Sequence, residues 1–204
     1  GAVIGVLAGA SGTDRLRAQK VILACDGFGA NKEMLRRYIP EMADAEYIGA
    51  QGNTGDGIRW GMALGAATEH MSGYQGHGLV CPGYGTRLAP EIAMLGGVMV
   101  NVDGERFCPE DQGYSELALV VLGQPRGVAV EIFDQRIYDV LAPTDHFRET
   151  IAAGALRSGN TLEELAAALK LNPKRLCASV EECNAAAQSG NDRFGRKTFG
   201  APLQ

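Results

Sequence analysis

The sequence predicts a protein of the α+β class, because helix and strand signals are mixed along it without a regular strand–helix alternation. Short apolar runs bounded by turn residues occur in both halves, and helix-capping residues precede several of the later segments. The chain also has 28 glycines in 204 residues, about twice the usual share. These glycines lie between apolar segments, which is typical of tight turns or of backbone that approaches a ligand closely.

The first 42 residues contain three strand signals and the start of a helix. Short apolar runs are predicted as strands over residues 2–8, 16–19 and 21–24. The third is expected to be buried and to present its backbone to a ligand. Asn31 is expected to cap a helix over residues 32–37, which Pro40 ends.

The later part of the chain combines turns, strands and capped helices. A turn cluster at residues 51–57 precedes a predicted helix over 58–67. The pair Asp103-Gly104 predicts a hairpin between residues 98–102 and 105–107. A strand over 127–133 and a short helix over 134–141 follow. A capping box at Thr161 opens a helix over 162–169, and Asn172-Pro173 opens another from 173 to about 188, closed by Gly190.

Composition excludes several classes of protein. The net charge of -5 is mild and no basic stripe is present, so we expect no nucleic-acid partner. No apolar run approaches the roughly 18 residues of a membrane span. No signal-peptide pattern is found either, so we expect a cytoplasmic protein. The five cysteines lack metal-ligand spacing, so we expect reduced, mostly buried thiols and no metal site.

Three polar residues could perform chemistry. His77, between Gly76 and Gly78, could donate a hydrogen bond or a proton near neutral pH, or could be an exposed loop histidine. Asp56 could cap the helix that follows it or accept a hydrogen bond from a ligand. Tyr114 could donate or accept a proton, or could serve only in packing. No Gly-rich phosphate loop such as GxGxxG follows an opening strand, so nothing in the sequence binds a pyrophosphate by itself.

Several segments, in this order, resemble the flavoprotein family of fumarate reductases, succinate dehydrogenases and 3-ketosteroid dehydrogenases. The matching segments are VILACDGFGAN at 21–31, NTGDG at 53–57, QGH at 75–77, GGVMVNVDGERF at 96–107, IFD at 132–134, TLEELA at 161–166 and DRFGR at 192–196. They span nearly the whole chain, and their order and spacing together make the resemblance specific.

The resemblance implies FAD as the cofactor of the full-length parent and a division of the chain into three parts. These are a remnant of the FAD-binding domain over residues 1–42, a capping or substrate domain over 43–195, and a return toward the FAD domain over 196–204. Ala24, Cys25 and Gly27 would then lie near the FAD, and Asp56 would also reach it. His77 matches the substrate-binding histidine of the family.

The sequence departs from the fumarate reductase pattern at the reacting centre. Tyr114 stands where those enzymes have the arginine that delivers a proton, and Ala89 stands in place of a threonine that holds a substrate carboxylate. Losing a cation and a hydroxyl weakens the case for a small dicarboxylate substrate. A tyrosine at this place is similar to the ketosteroid dehydrogenases, which use tyrosines to move a proton and polarise a carbonyl.

The resemblance therefore implies an FAD-dependent dehydrogenase or reductase that adds or removes hydrogen across a carbon–carbon bond next to an activating carbonyl or carboxylate. Tyr114 would move the proton and His77 would orient a small-molecule substrate. The chain is expected to be an internal fragment without FAD, inactive alone, whose partner is the rest of the FAD domain in the parent chain. Two alternatives stay open, a non-catalytic binding or assembly module and a fumarate or tricarboxylate reductase with a rearranged site.

Overall fold

The structure, a computed structural model, describes residues 2–204 and divides the chain into two compact units. The first consists of Gly1–Ala43 with Gly49–Ser72, and the second of Asp44–Ile48 with Gly73–Gln204. Both contain helices and strands, so the predicted mixture of the two is confirmed.

The first unit has one hairpin and two helices. Its elements are β1 (Gly5–Ala8), β2 (Asp14–Arg17), α1 (Lys32–Tyr38) and α2 (Asp56–Ala63), with a turn of 3-10 helix at Pro40–Met42. β1 and β2 pair in antiparallel register, as the turn between them predicts. α2 is shorter than predicted, because Gly65 takes a left-handed φ of 90° just after the helix.

α1 forms where its capping residue predicts. The Asn31 Oδ1 accepts a hydrogen bond from the Met34 backbone N–H at 3.0 Å, which satisfies one of the free donors at the helix start. The apolar side of the helix lies in a small core formed by Phe28, Met34, Leu35, Ile39 and Ala43. A local side-chain contact thus fixes the start of the helix, and burial holds it in place.

The prediction of a buried strand over residues 21–24 was wrong. The segment has no regular secondary structure and is largely uncovered, with Ile22 91% and Leu23 49% exposed. A strand requires hydrogen bonds to a neighbouring strand, and no strand within residues 2–204 pairs with this segment. An apolar run alone was therefore not sufficient to form a strand.

The second unit contains two small antiparallel sheets and most of the helices. Its strands are β3 (Val80–Cys81), β4 (Thr86–Arg87), β5 (Val98–Asn101) and β6 (Ala129–Ile132). Its helices are α3 (Glu91–Met94), α4 (Tyr114–Leu122), α5 (Gln135–Leu141), α6 (Asp145–Ala152), α7 (Leu162–Leu169) and α8 (Pro173–Ser189). β3 pairs with β4, and β5 pairs with β6.

The largest core of this unit lies between the β5–β6 sheet and the helices α7 and α8. Its buried members are Val98, Val100, Ile132, Ala166, Leu171, Leu176, Val180 and Cys183. Thr161 and Asn172 cap the two helices as predicted, each accepting a backbone hydrogen bond at 3.2 Å. The caps set where the helices begin, and their apolar faces then cover the sheet.

The predicted hairpin around Asp103-Gly104 is only partly present. The turn forms, since the Asn101 N–H donates to the Glu105 carbonyl at 2.9 Å. Its second arm makes a single bridge, between Val100 and Arg106, and the strand partner of β5 is β6. The reason is that the Arg106 backbone N–H donates instead to the Ser179 hydroxyl of α8 at 3.2 Å.

Four charged side chains in the interior connect the last residues of the chain to β5. Arg106 donates to the two carboxylate oxygens of Glu110 at 2.9 and 2.7 Å and to Asp192 at 2.7 Å. Arg196 donates to Glu110 at 3.2 Å and to the Gly97 carbonyl at 3.0 Å. A buried charge is very costly unless it is paired, and every member of this buried charge network has a partner of opposite sign.

Candidate functional site

Two of the candidate residues, His77 and Tyr114, lie side by side in the second unit. Their rings stack with centroids 4.9 Å apart and planes inclined by 26°. Tyr114 is the first residue of α4, and its backbone carbonyl accepts from the Gly78 N–H at 2.8 Å. The Ser115 hydroxyl also donates to the Gly76 carbonyl at 3.2 Å. The histidine loop is therefore joined to the helix start on both sides of His77.

The loop approaches α4 so closely that Gly78 has no room for a side chain. A Cβ there would lie 2.6 Å from the Leu117 Cβ and 2.9 Å from the Ala118 backbone nitrogen. Such distances are far inside van der Waals contact. Glycine is required here by this approach, and the approach brings the two rings together.

The environment of His77 keeps its imidazole neutral and directs its proton. Burial, followed by the positive charge of Arg87, lowers the pKa of His77 below its usual value. The Leu79 backbone N–H donates to the His77 Nδ1 at 3.4 Å, a long hydrogen bond. With Nδ1 as the acceptor, the ring proton lies on Nε2. The side chain can therefore donate one hydrogen bond from Nε2 to a ligand oxygen.

The Tyr114 hydroxyl is held by Gln75, whose side-chain role no sequence pattern indicated. Gln75 Nε2 donates to the Tyr114 Oη at 2.7 Å. Because the tyrosine oxygen is the acceptor in this bond, the hydroxyl proton stays free for another acceptor. The Tyr114 side chain is partly exposed, so a substrate atom can reach that proton.

The four candidate cofactor-binding residues lie together in the first unit. Ala24 and Cys25 are exposed, and the Gly27 carbonyl accepts from the Gly55 N–H at 3.0 Å, just before Asp56. A Cβ placed on Gly57 would come within 2.5 Å of the Cys25 Sγ. The exposed segment thus lies directly against the start of α2.

Asp56 is the first residue of α2 rather than its capping residue, which is Gly55. Its carboxylate accepts from the Thr54 hydroxyl at 3.0 Å and forms an exposed ion pair with Arg59 at 3.4 Å. A negative charge in the first turn of a helix is favourable to the helix dipole. Of the two interpretations of Asp56, side-chain capping is excluded by this geometry.

The open space around Gly27 fits the approach of a large ligand to the backbone. A Cβ at Gly27 would have no atom of this chain within 4 Å. The neighbouring Asp26 carboxylate accepts from the Gly27 N–H at 2.9 Å and from the Asn53 side chain at 2.8 Å. These bonds hold the loop in shape while one side of it stays open.

The described residues were compared with the expectations about membrane spans, metal ions and cysteines. Within residues 2–204, no helix is long and apolar enough to cross a bilayer. Over the same range, no group of three or more His, Cys, Asp or Glu side chains could hold a metal ion. The cysteines are all free, with Cys25 exposed and Cys81, Cys108 and Cys183 buried. The expected cytoplasmic location stays a prediction.

Comparison with known proteins places this fold and site in a flavoprotein family. Residues 1–199 match the family described as FAD binding domain, and the chain belongs to this family, whose cofactor is FAD. It is 32% identical over 183 residues to a probable fumarate reductase of Shewanella frigidimarina, covering 88% of this chain and 30% of that protein. It is also 33% identical over 195 residues to a 3-oxosteroid 1-dehydrogenase of Mycobacterium tuberculosis, covering 87% of this chain and 35% of that protein.

The fold is also similar to that of a solved fumarate reductase structure. The open conformation of a flavocytochrome c3 fumarate reductase matches all of this chain with a TM-score of 0.79 at 28% identity, over 38% of its own length. The chain thus spans about a third of the length of these three proteins. The predicted capping domain has no support in these comparisons, which place the chain in the FAD-binding domain instead. The boundaries near residues 42 and 195 stay predictions.

Proposed function

We propose that this chain is part of an FAD-dependent oxidoreductase that adds or removes hydrogen across a carbon–carbon bond next to an activating carbonyl or carboxylate. Fumarate and 3-oxosteroids, the compounds named for the relatives, both carry such an activating group. The observation that supports the reaction most is the stacked pair of His77 and Tyr114, which offers one proton donor and one hydrogen-bond donor 4.9 Å apart, between ring centroids.

Tyr114 is the residue that moves the proton. In the direction of reduction its Oη–H delivers a proton to one substrate carbon, and in the direction of oxidation its oxygen removes one. Gln75 donates to that oxygen, which stabilises it when the proton has left, because an aligned donor favours the charged form. Ring stacking on His77 restricts the tyrosine to one orientation.

His77 acts on the activating oxygen of the substrate. Its Nε2–H donates to a carbonyl or carboxylate oxygen and draws electron density away from the adjacent carbon–carbon bond. Because burial and Arg87 lower its pKa, the ring is neutral near pH 7. It therefore serves as a hydrogen-bond donor and does not compete with Tyr114 as the proton source.

The cofactor would be held in the first unit by backbone of Ala24, Cys25 and Gly27, with Asp56 at the start of α2. The open side of Gly27 and the exposure of residues 22–26 fit this assignment. When bound, FAD supplies or accepts the hydride that balances the proton of Tyr114. The chain's own part is to bind it through main-chain groups.

The test is Tyr114→Phe in the FAD-loaded protein. It compares reoxidation of dithionite-reduced flavin by fumarate with flavin reduction by a 3-oxosteroid. We expect the rate of whichever reaction the wild type performs to fall by about 10²–10⁴-fold, the usual contribution of a general acid or base. Tyr84→Phe is the matched control, because Tyr84 is similarly exposed and its hydroxyl accepts a hydrogen bond from Arg157 at 3.1 Å. Equal rates in the two variants would remove Tyr114 from the mechanism. No reaction with either compound in the wild type would favour a non-catalytic module.

A further inference from the structure

We propose that Arg87 and His77 together bind a carboxylate of the substrate, so that the substrate is an unsaturated acid or its saturated counterpart rather than a neutral ketone. The proposal rests on the proposed function, because it names the substrate class of the same site. Arg87 would supply the cation that the sequence lacks at Tyr114, from a different element of the fold.

The β3–β4 hairpin brings Arg87 to the histidine loop. Val80 of β3 is the direct partner of Arg87 in β4. The Leu88 N–H continues the pairing by donating to the Leu79 carbonyl at 2.8 Å. Since His77 is only two residues before Leu79, the hairpin register places Arg87 beside the loop that His77 occupies.

Arg87 lies on the exposed face of the β3–β4 hairpin. The Thr86 hydroxyl is buried, and its cross-strand partner Cys81 is buried as well. Neighbouring residues of a strand point to opposite faces. Arg87 therefore stands on the face away from this interior, where it is exposed.

The charge of Arg87 acts on His77 and forms no ion pair within residues 2–204. Its positive charge contributes to the lowered pKa of His77, second to burial, as the hairpin register that brings Arg87 to the histidine loop leads us to expect. In the part of the chain that the structure describes, no carboxylate lies within 4.0 Å of the Arg87 guanidinium. Arg106 and Arg196, by contrast, are paired in the interior.

An unpaired guanidinium beside an imidazole N–H selects for a negatively charged ligand. A carboxylate can accept from both groups with its two oxygens, and hydrogen bonds between charged groups are about twice as strong as neutral ones. A ketone oxygen would accept from His77 but leave the charge of Arg87 without compensation. This difference is the physical basis for assigning the substrate to the acids.

The experiment uses NMR titration of the histidine ring protons of the chain, with propionate and propionamide as the probes. Only three histidines are present, His70, His77 and His146, so the His77 signals can be assigned with one His77→Gln variant. We expect propionate to bind saturably and to raise the pKa of His77, because an adjacent anion favours the imidazolium. Propionamide, which has the same shape without the charge, should do neither.

Arg87→Gln tests the assignment of the residue. The pKa of His77 in the free variant should rise, because a neighbouring cation is lost, and propionate affinity should fall by about tenfold or more, the usual cost of a charge-assisted hydrogen bond. Arg157→Gln is the matched control, an exposed arginine that donates to two backbone carbonyls and the Tyr84 hydroxyl. It should leave both quantities unchanged.

Two results would overturn the proposal, equal binding of propionamide and propionate, or unchanged propionate affinity in Arg87→Gln. The titration needs no flavin turnover, so its outcome is separate from that of the Tyr114→Phe test. A protein that binds propionate through Arg87 but turns over neither fumarate nor a 3-oxosteroid would retain the carboxylate site and reject the proposed reaction.

Discussion

The candidate cofactor segment of the first unit and the candidate catalytic pair of the second unit are held in different ways. Residues 22–26 are exposed, and the loop that follows them is fixed by the hydrogen bonds of the Asp26 carboxylate. His77 and Tyr114 are fixed by ring stacking and by backbone contacts that leave no space at Gly78. The first region offers open main chain, whereas the second offers side chains in a fixed geometry.

The interiors of the two units also differ, in how many polar and charged side chains they contain. In the described chain, the buried polar and charged residues all lie in the second unit: Asn101, Arg106, Glu110, Thr150, Ser179 and Arg196. The core of the first unit is small and apolar. The second unit should therefore respond strongly to single charge changes and to pH, and the first should not. The predictions below test this contrast.

The largest effect is expected from Arg106→Met. The Arg106 guanidinium is fully buried between Glu110 and Asp192, so its removal leaves carboxylates in the interior with fewer partners. Breaking a buried pair in this way usually costs about 3–5 kcal/mol of the free energy of unfolding. Urea denaturation followed by far-UV circular dichroism, to which the helices of the second unit contribute most, measures the loss.

Arg175→Met is the control for that variant. Arg175 pairs with Glu105 at 3.0 Å, but both side chains are about half exposed, and exposed pairs contribute at most about 1 kcal/mol. A loss in Arg106→Met no larger than in Arg175→Met would show that the buried charge network is not what stabilises the second unit.

The next effect concerns Glu131, a carboxyl whose two oxygens are buried without a hydrogen-bond partner in the described chain. Burial and the nearby charge of Glu110 raise the pKa of Glu131 to about 8. The native state then keeps a proton that the unfolded chain releases near its usual pKa of 4.5. The free energy of unfolding should therefore decrease as pH rises from about 5 to 8, by about 1.4 kcal/mol per pH unit.

Glu131→Gln should remove that slope, because the amide keeps the shape and never ionises. Unfolding free energies at pH 5, 6.5 and 8 for the wild type and the variant measure it. Glu149→Gln, at an exposed position, should leave the slope unchanged. A wild type that is equally stable at pH 5 and pH 8 would mean that Glu131 is ionised in the fold or reaches water.

The sequence predicted elements that depend on local contacts and failed where distant partners decide. The caps at Asn31, Thr161 and Asn172 were predicted because each hydrogen bond spans three residues. The start of α4 was missed because Gly113 precedes it and offers no capping side chain. The segment 21–24 failed as a strand because its pairing depends on a neighbour that an apolar run does not specify.

In the candidate site, too, the residues with local sequence signals were predicted and those placed by distant contacts were not. His77 and Tyr114 were found through glycine context and resemblance, whereas Gln75 and Arg87 were not. Gln75 reaches Tyr114 across 39 residues, so no local pattern connects them. Arg87 comes to the histidine loop through strands of only two residues, which periodicity does not detect. The turn residues Pro82-Gly83 between those strands were the one available signal.

The smallest effects come from a pair of glycine variants that contrasts the two regions directly. Gly78→Ala places a Cβ 2.6 Å from that of Leu117, and the loop must move away from α4. We expect a loss of about 1–3 kcal/mol in the free energy of unfolding, as for other overpacked sites. The nuclear Overhauser contacts between the rings of His77 and Tyr114 should also disappear. Their persistence would mean that the loop tolerates the methyl group and that Gly78 does not set the ring geometry.

Gly27→Ala is the counterpart in the first unit. A Cβ there has no neighbour within 4 Å, and Gly27 is not among the residues with positive φ. The stability of the chain should stay the same or rise by up to about 1 kcal/mol, because alanine restricts the unfolded state. In the FAD-containing protein the same methyl group would occupy the open side of the loop, so flavin affinity should fall.

Unchanged flavin affinity would show that Gly27 does not contact the cofactor. An equal loss of stability in Gly27→Ala and Gly78→Ala would show that the two regions are packed alike.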